Sequence, residues 1–286
     1  MAAPADAEVL VGLGSEHDLP VVEQAAREAA GHGRALHLLH IFDWQAAFSA
    51  DTVAAPRQRA EELITKAAQL AHQIEPDLTV GAEIVEGTML PTLIRRSEMA
   101  FLLAVGDSGM AGSRPGAPVE TPAVQMAARA GCPLLVVRRE PPPQGPVLVG
   151  VDGSPSSRLA LRWALACAAR RRTPLLAMRA VETDEDTDAA AEQLGEAMDR
   201  HANHHPGVST ECRVVRGDPG QVLVEASRSA QVVLVAARGD EPGRAILGAV
   251  AQSLLYHSPA PVVVVRGLAE VPLAGPDSRP ARDRRP

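Results

Sequence analysis

The chain states one pattern twice. Val9–Ser15 reads Val-Leu-Val-Gly-Leu-Gly-Ser and Val147–Ser154 reads Val-Leu-Val-Gly-Val-Asp-Gly-Ser, the same apolar run with one residue missing from the first copy. Later stretches match in the same order. Glu86-Gly87 answers to Arg216-Gly217, Val105-Gly106 to Val235-Ala236, and Cys132-Pro133-Leu-Leu-Val-Val-Arg138 to Ala260-Pro261-Val-Val-Val-Val-Arg266. A repeat this long contains its own full set of strands, so it predicts two duplicated domains and not a solenoid of short units.

Within each copy, short, mostly apolar runs alternate with helical stretches, the run at Val147–Val151 carrying no charge at all. In the first half the predicted strands are Val9–Leu13, Ala35–Phe42, Leu78–Val85, Phe101–Val105 and Leu134–Arg138. The helices between them are Asp18–Gly31, Val53–Ile74, Leu90–Arg96 and Val119–Ala130. In the second half the strands are Val147–Val151, Leu175–Val181, Thr210–Val215, Val232–Ala236 and Val262–Arg266, with helices near 155–170, 188–204, 219–229 and 247–257. Apolar runs without charge are strands buried on both faces, and this alternation predicts an α/β fold, a doubly wound parallel sheet in each half with helices on both faces. The expected domains are 1–138 and 147–267. Between them lies the proline-rich linker 139–146, and the Pro-, Asp- and Arg-rich tail 268–286 is expected to be disordered. The fifth strands of both halves are long, apolar edges. Laid against each other, Leu134–Arg138 on Val262–Arg266, they would leave no bare edge to associate.

Composition removes several function classes. The net charge of −7 argues against nucleic acid as a main partner, since phosphate neutralisation needs clustered positive surface. Lys66 is the one lysine and lies outside any glycine-rich loop, which excludes a P-loop nucleotidase. Cys132, Cys167 and Cys212 are isolated, so neither a disulfide framework nor a cysteine zinc site is expected, and a reducing cytoplasm is the expected compartment. No basic, apolar leader opens the chain, and no apolar run approaches the ~20 residues a membrane span requires.

The chemistry concentrates where the first strand of the second half ends. Gly153 permits a tight turn after Asp152, Ser154 can cap the following helix and Pro155 suits its first position. Doubly wound domains place ligands at such carboxyl ends. Ser154 reads as a cap and not as a nucleophile, because no His-Asp partner is patterned near it. His201, His204 and His205 have the spacing of a metal pair but read more simply as a solvated helix end. The acidic run Glu182, Asp184, Glu185, Asp186, Asp188 lacks the alternation of a calcium loop.

Val149-Gly-Val-Asp-Gly-Ser154 with Ala160-Leu-Arg-Trp-Ala164, Gly217-Asp218-Pro219, Arg238-Gly239 and the run Leu254–Arg266 together resemble the universal stress protein family in its tandem form, over about residues 9–138 and 147–266. The resemblance implies a five-stranded sheet in the order 3-2-1-4-5 in each half, joined as a pseudo-dimer through the fifth strands, with a further homodimer open to it. It also implies an ATP or AMP site made by an acid after strand one and a Gly-x2-Gly-x9-Gly-Ser/Thr loop after strand four. There backbone N–H groups would close on phosphates at a helix N-terminus.

Both halves depart from that motif. In the first, Gly106 and Gly109 are present, but the third glycine is Glu120, whose charge would repel phosphate, and the strand-one acid is the deleted residue. The second keeps Asp152, Gly239 and Gly248. It has Ala236 for the first glycine, Ala249 for the hydroxyl and eight residues in place of nine between the last two glycines. The candidate nucleotide set carried over is therefore Val151, Asp152, Gly153, Gly217, Arg238, Gly239 and Gly248, with the first half empty. The functional expectation is a non-catalytic stress-response module, acting through regulatory protein partners that the sequence does not name. The alternatives are a nucleotide-free interaction scaffold and a hydrolase-like enzyme on adenine nucleotides.

Overall fold

The computed structural model describes residue 4 and residues 6–42, 54–107, 121–182, 186–238 and 247–266. The first half runs β1 (Val9–Leu13), α1 (Leu19–Gly31), β2 (Leu36–Phe42), α2 (Ala54–Ile74), β3 (Val80–Glu86), α3 (Met89–Ser97), β4 (Leu102–Gly106), α4 (Pro122–Arg129) and β5 (Leu134–Val137). The second runs β6 (Val147–Gly150), α5 (Pro155–Arg171), β7 (Leu175–Val181), α6 (Thr187–Ala202), β8 (Thr210–Arg216), α7 (Pro219–Ser227), β9 (Val232–Ala236), α8 (Ala249–His257) and β10 (Val262–Val265).

All ten strands form one sheet in the order β3-β2-β1-β4-β5-β10-β9-β6-β7-β8. Each half has the order 3-2-1-4-5 and is parallel throughout, and the halves join where β5 runs antiparallel to β10, Leu135 opposite Val263. The edge-to-edge pairing expected of the fifth strands is borne out. Alternation along the strands divides the core into two layers. Val9, Val11, Leu135, Val137, Val263 and Val265 face the layer of α1, α2, α5 and α6. Leu10, Leu134, Val136, Val262 and Val264 face the layer of α3, α4, α7 and α8. Both layers continue without a break from one half into the other.

The seam is held by side chains as well as by the ladder. Arg138 donates to the α8 carbonyls of Leu254 and Leu255 at 2.9 Å each. In the pseudo-symmetric place Arg266 donates to Ala127 O of α4 at 2.8 Å. On the other face Glu28 of α1 bridges Arg170 at 2.7 Å and Arg171 at 2.9 Å, both of α5. His32, Phe101 and Trp163 form a ring cluster beside them. The end of the linker is pinned, with Gln231 Nε2 and Thr173 Oγ1 both donating to Gly145 O.

Element boundaries differ from the sequence reading by a few residues, for local reasons. The helix expected to reach 204 stops at Ala202, where turn bonds from His204 N to His201 O and from His205 N to Ala202 O take over. The strand expected from Leu78 begins at Val80, because Leu78 N closes a turn onto Glu75 O after Pro76. Leu247 and Gly248 precede α8, where Gly248 N donates to Ala237 O. The expected tail 268–286 lies outside the described residues.

Candidate functional site

β6 is buried along its whole length and releases the chain at Val151, which sends Asp152 out into solvent at the carboxyl end of the sheet. Gly150 lets Leu223 pack closely just before this point, since a Cβ there would come within 2.7 Å of Leu223 Cδ1 and push that side chain aside. Gly153 turns with φ 85°, a conformation that glycine adopts without strain. Ser154 then caps α5 as expected, its Oγ accepting from Ser157 N at 3.1 Å, with Pro155 in the first turn.

Asp152 Oδ1 accepts from Ser154 N at 2.9 Å, and Asp152 N donates to Ser157 Oγ at 3.4 Å. Burial pushes the Asp152 carboxyl up, but the hydrogen bonds from Ser154 and Ser157 outweigh it and hold its pKa below the usual carboxylate range. The group is therefore an anion fixed in orientation, suited to accept hydrogen bonds from hydroxyl or amino groups.

A cavity of about 280 Å³ opens beside it, with Met178, Leu223 and Val235 in its wall. Val151, Asp152, Arg238 and Gly248 all line this cavity. So do Ala249, Val250 and Ala251, the first turn of α8, whose N–H groups have no partner within the helix. Gly248 makes no side-chain cap that would cover them. Arg266 lies close enough to Arg238 that, after burial, the Arg238 charge lowers its pKa further, so this side of the cavity is cationic. The lining thus brings a carboxylate, an arginine and an open helix N-terminus to one cavity.

Two of the residues singled out in sequence are elsewhere. Gly153 and Gly217 are not lining residues. Gly217, at φ 143°, turns the chain from β8 toward α7, with its N–H on Val181 O. Gly239, and in the first half Gly109 and Glu120, lie outside the described residues. The sequence reading also missed a residue. Where the first half lacks the strand-one acid, Asp18 folds back, and its Oδ2 accepts from Gly14 N at 2.8 Å and Ser15 N at 3.0 Å. Asp18 is 5% exposed and ends a single 3-10 turn (Glu16–Asp18) capped by Ser15. The Ser15-x-x-Asp18 spacing, a capping box, was the available signal.

Among the described residues no group of three His, Cys, Asp or Glu could hold a metal ion. Asp186 caps α6 by accepting from Asp188 N and Ala189 N, while Asp184 and Glu185 lie outside the described residues. No helix among the described residues is long and apolar enough to cross a membrane.

Compared with known proteins, residues 7–138 and 145–266 each match the universal stress protein family. The universal stress protein Rv2623 of Mycobacterium tuberculosis is 35% identical over 206 residues, 66% of this chain and 69% of that protein. Rv2005c of the same organism is 33% identical over 226 residues, 72% and 76% respectively. A solved universal stress protein from Archaeoglobus fulgidus superposes with a TM-score of 0.70 at 18% identity, covering 90% of this chain and 96% of its own.

Proposed function

Because the chain belongs to the universal stress protein family, we propose that it is a non-catalytic stress-response module whose second half binds an adenine nucleotide, ATP or AMP. The observation that carries this reading is the cavity lined together by Asp152, Arg238 and the open first turn of α8. Asp152 would accept from ribose or base, and Arg238 with the α8 N–H groups would receive phosphate. Gly248 would lie on the phosphate side, where the family motif also assigns Gly239, Val151 would line the pocket, and Gly153 and Gly217 would shape the loops around it. Ala249 supplies no hydroxyl, which costs one hydrogen bond, about 0.5–1.5 kcal/mol, so binding is weak and not abolished. The first half stays empty, since the Asp18 carboxylate already occupies the N–H groups behind β1.

No turnover is expected. The one hydroxyl lining the cavity, Ser157 Oγ, donates to Ser154 O at 3.0 Å, and no histidine or lysine lines the cavity. Burial of the Asp152 carboxylate beside it is outweighed by the hydrogen bonds that lower its pKa and make it a weaker base. The free cysteines agree with a cytoplasmic setting, and regulatory proteins are the partners through which such a module would act. Calorimetric titration of the full chain with ATP and AMP should give one site, weakened at least tenfold in Asp152→Ala. Two equivalent sites, or affinity unchanged in that variant, would overturn the assignment. Phosphate release from ATP and magnesium should not exceed a heat-denatured control. Small molecules released from the native protein, identified by mass spectrometry, would separate this reading from a nucleotide-free scaffold.

A further inference from the structure

A second cavity, of about 710 Å³, lies at the opposite, amino-terminal ends of the strands, where the two halves meet. Its walls come from the end of α1, the end of α5 and the 204–209 loop that leads into β8. No residue of the Asp152 cavity belongs to it. Its size falls well inside the range of small-molecule sites.

The chemistry of the walls is one-sided. Arg170 and Arg172 line the cavity and no carboxylate does. Behind them Glu28 is shared between Arg170 and Arg171, one anion against two cations. The chain as a whole carries −7, so this concentration of positive charge is a local exception. Gly31 leaves room for the Arg170 stem, which a Cβ there would meet at 2.8 Å. Several of the helix-end carbonyls that would otherwise favour a cation are taken up by the chain. His32 N, Gly33 N and Arg34 N take those of α1, and Arg172 N and Thr173 N take Ala169 O and Ala168 O of α5.

One buried polar atom is left over. His32 is 8% exposed and lines the cavity, and its Nε2 has no hydrogen-bond partner among the described residues, Glu28 Oε2 standing 3.7 Å away. Burial, then the Arg170 charge, hold the His32 pKa down at about 3, so the ring is neutral and makes no ion pair with Glu28 at neutral pH. The rest of the wall is mixed, with Ala30, Ala168, Pro174 and Val208 supplying apolar surface and Thr173, His204, His205 and Ser209 polar surface.

We propose that this seam cavity is a second ligand site, for a small organic anion with an apolar body. The anionic group lies against Arg170 and Arg172, and an apolar or aromatic body reaches along Ala30 and Val208 to His32. Because α1 comes from one half and α5 from the other, the site exists only in the joined molecule.

Anilinonaphthalene sulfonate, an aromatic sulfonate whose fluorescence rises on burial, is the probe for the full-length native protein. Two variants keep the fold testable. Arg172 sits at φ 52°, so Arg172→Gly removes the charge while relieving a left-handed backbone. Gly207 lines the cavity and a Cβ there would meet nothing within 4 Å, so Gly207→Trp is the variant chosen to obstruct it. One saturable site is expected, weakened about tenfold by Arg172→Gly, abolished by Gly207→Trp, unchanged in Asp152→Ala and not displaced by AMP. Absence of saturable binding to the native protein, affinity indifferent to both seam variants, or displacement by AMP would overturn the proposal.

Discussion

At the scale of single residues, the seam cluster carries the molecule's clearest pH dependence. Burial pushes the Glu28 carboxyl up, but Arg170 and Arg171 outweigh it and hold its pKa at about 2, against an ordinary 4.5. His32 is lowered to about 3 from 6.5. Both folded values lie below the unfolded ones, so the unfolded chain binds more protons on acidification. Stability is full above pH 6.5, begins to fall as pH drops through the unfolded value of His32, and falls further below 4.5 as Glu28 joins. Between about pH 6 and 5 one proton of difference is worth about 1.4 kcal/mol per pH unit. Urea midpoints at a series of pH values should show this slope, and His32→Leu should remove that share of it. A variant with the same slope as the parent would contradict the assignment. Asp18 gives a second residue-scale expectation. Asp18→Ala strands two N–H groups that now have a charged acceptor, and should cost about 2–4 kcal/mol in urea unfolding. Asp18→Asn should recover part of it, because one amide oxygen remains to accept.

At the scale of elements, four-residue strands meet at the seam, and the short β5–β10 ladder is reinforced by arginines at the helix ends. Arg138 is 9% exposed and satisfies two carbonyls of α8, with a third, longer contact of 3.4 Å to Ala260 O. Arg266 satisfies one carbonyl of α4 and is less buried. Arg138→Met should therefore destabilise by about 2–4 kcal/mol, since buried carbonyls lose charged donors. Arg266→Met should cost visibly less, and equal losses in denaturant titration would contradict this ranking. Most elements were legible in the sequence because the central strands alternate between two apolar layers and most helices are bounded by glycine, proline or a cap, whereas the edge strands β3 and β8 are largely exposed. The Asp18 turn was not, because a deletion in the strand-one motif drew attention to what was missing and not to the capping spacing beside it. Glu28, Arg170 and Arg171 were not either, as contacts 142 and 143 residues apart have no periodicity to announce them. In the candidate site, motif order put forward Asp152, Arg238 and Gly248, which line one cavity, and equally Gly217, which lies in the turn from β8 to α7 and does not line it.

At the scale of the whole molecule, a repeat in sequence did not become two separate bodies. Both apolar layers run across the seam, and removing either half would bare a four-residue apolar edge. Thermal unfolding is accordingly expected as one calorimetric transition with matching calorimetric and van't Hoff enthalpies. Val263→Lys puts a charge into the shared layer beside Leu135 and should split the transition in two or lower it sharply. Two well-separated transitions in the parent protein would show that the halves fold independently.

The antiparallel seam also changes what concentration means for this molecule. Two free half-sheets meeting edge to edge would be partners whose pairing weakened on dilution. Here Pro141–Pro143 and the pinned Gly145 keep them on one chain, so each half sees the other at a fixed effective concentration, however dilute the protein. The seam and the cavity it walls are therefore as complete in a single molecule as in a crowded solution.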